Sequence, residues 1–158
     1  MEKIILKPIG KMVAKQGRWI IKIDPEYKEA MTGIEGFSHL QVLFWFHQND
    51  TEQNRKHLKT EKPYTSGPQE LGVFATRSEY RPNLIGLSAL AVKSINPDKG
   101  EIEFYFADLE DSTPVLDIKP YHPAVDRIRD VSLPHWCSHW PQNYEDSAHF
   151  NWEREFNF

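Results

Sequence analysis

The sequence predicts an all-β fold: a small curved β-barrel with short helices and an irregular Pro- and Trp-rich C-terminal segment. Three observations lead there. Runs rich in β-branched and aromatic residues recur through the first two-thirds of the chain. Turn signals built from Gly, Pro, Asn and Asp separate them at short intervals. After Pro120 the regular pattern gives way to prolines and tryptophans. Many short strands between turns favour closure into a barrel.

Arg18 to Asp24 (Arg-Trp-Ile-Ile-Lys-Ile-Asp) reads as a strand. Asp24-Pro25 then reads as an N-cap with proline at the first helical position, opening a short helix to about Met31 that Gly33 and Gly36 end. Phe37 to His47 is nearly all apolar, which predicts a strand buried on both faces, with His39 and His47 on one face as core or interface histidines. Residues 48–70 are polar and read as one long loop, a length usually reserved for function or disorder. Leu71 to Arg77 and Ile85 to Ile95 read as strands joined by a turn-rich connection. Asn96-Pro-Asp-Lys-Gly100 predicts a hairpin turn. The strand after it, Glu101 to Ala107, puts Ile102, Phe104 and Phe106 on one face. A loop over 108–113 and a short strand from Pro114 to Lys119 follow.

The length of 158 residues argues for one domain, 1–158, with a core over about 4–130 and a C-terminal cap over 131–158. The single cysteine, Cys137, excludes a disulfide scaffold and a four-cysteine or Cys2His2 zinc site. His135, Cys137 and His139 sit among Pro134, Trp136, Trp140 and Pro141 and read as a packed cap rather than a metal site, so no metal is expected. The longest apolar run, Val42 to Phe46, is far short of the roughly 20 residues of a membrane helix. The N-terminus shows no signal-peptide pattern, so a cytoplasmic location without a membrane is expected. The net charge of −4 argues against blanket nucleic-acid binding. Its distribution is uneven: Lys3, Lys7, Lys11, Lys15, Arg18 and Lys22 stand against Glu2 alone, giving +5 over residues 1–22 and −9 over the rest. Arg55, Lys56, Lys59 and Lys62 form a second basic cluster. Each cluster is either a solvated face or a local phosphate-binding patch.

There is no Gly-x-Gly, no Gly-Lys-Ser/Thr and no Gly-x-Ser-x-Gly, which excludes the dinucleotide fingerprint, the P-loop and the nucleophile elbow. Two segments have a composition unusual for structure alone. Gly72 to Ser88 (Gly-Val-Phe-Ala-Thr-Arg-Ser-Glu-Tyr-Arg-Pro-Asn-Leu-Ile-Gly-Leu-Ser) carries Arg77, Arg81 and Asn83 between apolar strands. Its two guanidiniums bind either a phosphate or carboxylate in bidentate fashion or the acidic residues of their own chain. Asp108 to Tyr121 contains Asp117 and Lys119, two apart and so on one strand face, either a buried structural pair or a site that accepts a proton or holds a cation.

These segments resemble the signatures of the TsaA/TrmO family. The likeness rests on Gly72-Val-Phe-Ala-Thr-Arg-Ser78, Arg81-Pro-Asn83, Ile85-Gly-Leu-Ser88 and Thr113-Pro-Val-Leu-Asp-Ile-Lys-Pro-Tyr121. Gly36-Phe-Ser-His-Leu40 with Phe46-His-Gln48 resembles a third family motif in the same order, and Pro8-Ile-Gly10 the usual opening. The resemblance implies a small β-barrel that commonly forms a homodimer. It implies S-adenosylmethionine-dependent methylation of N6-threonylcarbamoyladenosine beside the tRNA anticodon. It implies a cofactor site around Phe74, Ala75, Thr76, Arg77, Gly86 and Leu87, faced by Asp111, Thr113 and Leu116, and completed by Arg81, Asn83, Asp117, Lys119 and Tyr121. Asp117 is the first candidate for orienting the acceptor amine and taking its proton, with Lys119 controlling its charge. Leu84 stands where proline is usual and Ser112 where glycine is usual. Lys11 to Gly17 leads straight into Arg18 without the Pro-Arg-Gln segment of longer members, marking a short form. Two alternatives stay open: methyl transfer to a small molecule, and a barrel that binds the cofactor without catalysis.

Overall fold

The structure, a computed structural model, describes residues 4–157; residues 1–3 and 158, the ends of the expected domain, lie outside the described residues. Eight strands follow in chain order: β1 (Gly10–Lys15), β2 (Arg18–Ile23), β3 (His39–Trp45), β4 (Lys59–Glu61), β5 (Glu70–Gly72), β6 (Ile85–Asn96), β7 (Glu101–Phe104) and β8 (Pro114–Pro120). Six of them close into an antiparallel barrel in the order β1-β2-β7-β6-β3-β8, and β4 pairs with β5 in a separate ribbon. Closure leaves the barrel no open edge. Among the described residues no helix is long and apolar enough to cross a membrane.

Alternation along each strand fills the interior. Met12, Ile21, Leu40, Val42, Ile102, Phe104 and Val115 are fully or almost fully buried and form one apolar core with Phe44, Leu90 and Ile23. In β3 this alternation corrects the expectation of two buried faces: Leu40, Val42 and Phe44 point inward, while Gln41, Leu43 and Trp45 keep partial exposure on the outside. His47 has already left the strand for a 3-10 turn, so it shares no strand face with His39. Phe106 is likewise not core. The strand ends at Phe104, and Phe106 is 58% exposed with its ring packed edge-on against Trp19.

The expected helix after Asp24 is a 3-10 stretch, Pro25–Met31, with proline in the first turn. Asp24 offers no side-chain cap; its backbone carbonyl accepts the Tyr27 N–H instead. The expected strand Leu71 to Arg77 shrinks to β5, because Val73–Ala75 coils into a 3-10 turn. The long loop holds a single helical turn, Glu52–Arg55, and the strand β4. Strand β1, which pairs along its whole length with β2, is absent from the sequence reading. Lys15 lies opposite Arg18, so Gln16 and Gly17 make a two-residue turn, both at positive φ (54° and 69°). That is the tight hairpin geometry matching strand twist, and it leaves no room for an inserted segment.

In the basic N-terminal strip, Lys15, Arg18 and Lys22 carry carboxylate partners, and Lys3 lies outside the described residues. Arg18 and Lys93 both bind Glu103, Lys22 reaches Glu101 at 3.3 Å and Lys15 reaches Asp111 at 3.6 Å. In the second cluster Arg55 pairs with Asp50, Lys56 with Glu52 and Lys59 with Glu70. The Arg18 guanidinium, with Lys93 beside it, holds the Glu103 carboxyl at about 2, against an ordinary 4.5. A carboxyl depressed on folding stabilises the fold above its ordinary pKa and loses that contribution as pH falls through the folded value. Glu103→Gln is therefore expected to lower the melting temperature at neutral pH. The gap to the unmodified protein should close as pH drops from about 4.5 towards about 2, and thermal melts across that window read it.

Candidate cofactor site

Thr76, Arg77, Arg81, Gly86 and Leu87, five of the residues singled out from the sequence, line one cavity of about 800 Å3. This is within the range of small-molecule sites. The 3-10 turn Val73–Ala75 leads into Thr76 and Arg77, and β6 carries Gly86 and Leu87. Val73 is buried and anchors the turn, and the buried Thr76 hydroxyl donates to the Val73 carbonyl at 2.9 Å. The chain then exits with Arg77 outward. Its Nη2 donates to the Leu87 carbonyl at 2.7 Å, tying the loop to β6. Arg81 Nη1 donates to the Ser78 carbonyl at 3.2 Å and contacts that of Thr76 at 3.4 Å. Among the ion pairs of the described residues, no carboxylate pairs with either guanidinium.

Gly86 has a packing reason to be glycine. It lies directly opposite Phe44, and a Cβ there would overlap the phenylalanine ring. Leu84, in the usual proline position, is fully buried, and its carbonyl accepts the Phe46 N–H at 2.8 Å. Ser112 stands at φ 66°, the left-handed backbone that glycine takes without cost, which accounts for the family's preference there.

Sequence reading missed much of the cavity wall. His57, Tyr64, Phe46, Glu79, Asp108 and Phe156 also line it, beside Tyr80, whose ring the sequence does offer as a stacking surface for adenine. A neighbouring cavity of about 360 Å3 shares Phe44, Phe46, Glu79 and Asp108 and adds His47, Gln48 and Thr113. Thr113 thus joins the site from the far side, together with the Phe46-His-Gln48 motif.

Other expected residues lie elsewhere. Asn83 and Leu116 open onto a different cavity with Trp45, Arg55 and Pro114. Leu116 is there because β8 bulges: Leu43 faces Asp117 but Phe44 faces Val115. Asp111 braces the barrel, its Oδ1 accepting the Ala14 N–H at 3.0 Å. That bond, with Lys15 nearby, holds its carboxyl below the usual range. Phe74 is 83% exposed. Neither it nor Ala75 lines the cavities described here.

Asp117 and Lys119 form a pair, Nζ to Oδ2 2.6 Å, on the outer face of the barrel. The pair is about half exposed rather than buried. Cross-strand register places Leu87, Leu43 and Asp117 in one row, and Ala89, Gln41 and Lys119 in the next. Two strand spacings put Asp117 roughly 10 Å from Leu87 along that face. Tyr121 is further along, its backbone N–H on the His39 carbonyl and its ring edge-on to His39. It lines a third cleft. His139 binds Glu155 at 2.9 Å, and the buried Cys137 sulfur sits 3.4 Å from the Pro134 carbonyl. Among the described residues no three His, Cys, Asp or Glu side chains gather as metal ligands.

The donor set suits an S-adenosyl group. Two guanidiniums without carboxylate partners among the described residues line the cavity and can bind a carboxylate, and Phe44, Phe46, Tyr64 and Phe156 add aromatic rings for a purine.

Comparison with known proteins shows the family to which the chain is similar. The family described as tRNA-methyltransferase O N-terminal domain matches residues 5–127. The Escherichia coli tRNA (adenine(37)-N6)-methyltransferase is 42% identical over 106 residues, 66% of this chain and 44% of that protein. The Pseudomonas aeruginosa protein RcsF is 35% identical over 163 residues, 98% of this chain and 68% of the relative. A crystal structure of TrmO from Pseudomonas aeruginosa superposes with a TM-score of 0.63 at 31% identity, covering 83% of this chain and 62% of that one. The chain thus spans less than half of the Escherichia coli enzyme and under two-thirds of the crystallised protein. The match runs through all three motif segments, and the chain belongs to the tRNA-methyltransferase O N-terminal domain family.

Proposed function

We propose that this chain is an S-adenosylmethionine-dependent N-methyltransferase acting on N6-threonylcarbamoyladenosine in tRNA. The observation that supports the reading is the cavity that Arg77 and Arg81, without carboxylate partners among the described residues, line together with several aromatic rings. The cofactor supplies an electrophilic methyl group. The protein's part is to hold and align, because reacting atoms must meet at about 3–3.5 Å. Arg77 and Arg81 hold the cofactor carboxylate, Leu87 and Thr76 bound its chain, and Phe44 and Phe46 exclude water from the inner side. Asp117 receives the proton released by the acceptor amine, and Lys119, 2.6 Å from its Oδ2, fixes the orientation of the carboxyl group. Tyr121 and Asn83, which open onto other clefts, contact the tRNA away from the methyl group.

The reading includes one domain over the chain, a cytoplasmic setting and a homodimer. The exposed residues Phe74 (83%), in the 3-10 turn before Thr76, and Leu87 (45%), on the cavity lining, supply apolar surface for a second copy to cover. A second reading, transfer to a small acceptor, is favoured by the carboxylates that already occupy Lys15, Arg18, Lys22 and the 55–59 cluster.

A filter assay with total tRNA and methyl-labelled cofactor tests this. The tRNA reading predicts labelling that falls steeply with salt, by about tenfold or more between 50 and 200 mM. Cofactor turnover with no label in tRNA would replace it with the small-acceptor reading. The absence of cofactor binding would remove both.

A further inference from the structure

Residues 134–157 lie beyond the stretch matched by the family, yet they fold back onto the segment that carries the cavity's outer wall. Phe156 forms an antiparallel bridge with Tyr64. The Thr65 N–H donates to the Glu155 carbonyl at 2.9 Å and the Thr65 hydroxyl to that of Arg154 at 2.8 Å. Asn157 adds its backbone N–H to the Pro63 carbonyl and its side-chain amide to that of Lys62.

Stacked rings stiffen this seam. Tyr64 lies flat on Trp136, with centroids 5.1 Å apart and planes at 18°. Trp152 lies flat on Phe156, at 5.6 Å and 13°. The Glu155 carboxylate gathers the Trp140 indole N–H at 3.0 Å and the His139 ring at 2.9 Å, clamping the residue next to Phe156. The result is a ring pair, Tyr64 and Phe156, that lines the same cavity as Arg77, Arg81 and Leu87.

We infer that the C-terminal cap is part of the binding site: Phe156, held by Trp152 and Tyr64, contacts the purine ring of the S-adenosyl ligand. This rests on the cofactor reading above and adds to it an element outside the family-matched region. A ligand whose carboxylate is held by guanidiniums needs a surface for its flat heterocycle elsewhere in the cavity. Aromatic faces supply such a surface for any purine.

Equilibrium dialysis of the full chain with labelled S-adenosylhomocysteine tests the inference. Phe156→Leu keeps most of the apolar volume but removes the ring. It is expected to weaken binding by about tenfold with the melting temperature little changed. Phe156→Tyr restores the ring and should bring affinity back close to that of the unmodified protein. Should Phe156→Leu unfold, 4-fluorophenylalanine at position 156 gives an independent reading: its fluorine resonance is expected to shift when the ligand saturates the site. Unchanged affinity in folded Phe156→Leu, or an unmoved fluorine signal at saturation, overturns the role of the cap and leaves the cofactor reading standing. Failure of the unmodified protein to bind overturns the cofactor reading and this inference with it.

Discussion

Arg77→Ala is expected to lower kcat/KM for methyl transfer by about 10- to 100-fold, mainly through lost cofactor affinity. Hydrogen bonds to charged groups contribute about 1.5–3 kcal/mol, and a guanidinium fork holding a carboxylate lies in the upper part of that range. One donor of Arg77 is spent on the Leu87 carbonyl at 2.7 Å, which fixes the side chain beside the cavity. The remaining donors have no carboxylate among the ion pairs of the described residues. Arg77→Lys should recover little, because an ammonium cannot bond the Leu87 carbonyl and a ligand carboxylate in one planar fork. Steady-state kinetics together with a thermal melt separate this loss from simple destabilisation. A kcat/KM within about threefold of the unmodified value would remove Arg77 from the site.

The second large effect concerns the packing under the site. Gly86→Ala should destabilise the fold by about 1–3 kcal/mol, occasionally more. For a chain of this size that is a fall in melting temperature of roughly 2–12 °C. The new methyl group would occupy the place of the Phe44 ring. Phe44 has little room to retreat, being 6% exposed and packed edge-on against Phe46 at 5.2 Å. If this contact is the cause, the double variant Gly86→Ala with Phe44→Leu should recover part of the loss relative to the sum of the single changes, a coupling that a double-mutant cycle reads directly. Strict additivity would place the origin of the glycine elsewhere.

The parts of the barrel legible in the sequence are those whose pattern is local. Strands β2, β3, β6 and β7 carry dense β-branched and aromatic runs, and the turn after Asn96 is marked by Pro97 and Gly100. Strand β1 offers only Met12 as a fully buried residue between lysines, and its pairing with β2 supplies what propensity does not. The short ribbon β4–β5 forms across an intervening loop and leaves little trace in the polar run 48–70. The run Leu71 to Arg77 has strand composition but ends as a 3-10 turn, which carries Arg77 to the cavity mouth.

The site divides along the same line. Thr76, Arg77, Arg81, Gly86 and Leu87 were readable because they are close in sequence and stay close in space. The charge partners were not, since Glu103 on β7 meets Arg18 on β2 only through sheet order. Nor was the outer wall, because Tyr64 meets Phe156 only when the chain's last segment returns across the fold.

Calorimetric titration of S-adenosylhomocysteine into the unmodified chain and into Arg77→Ala tests the central claim most directly. The account predicts saturable binding at one site per chain in the first and binding weakened at least tenfold, by about 1.4 kcal/mol or more, in the second. No heat of binding in the unmodified chain, or equal affinity in both proteins, would contradict it.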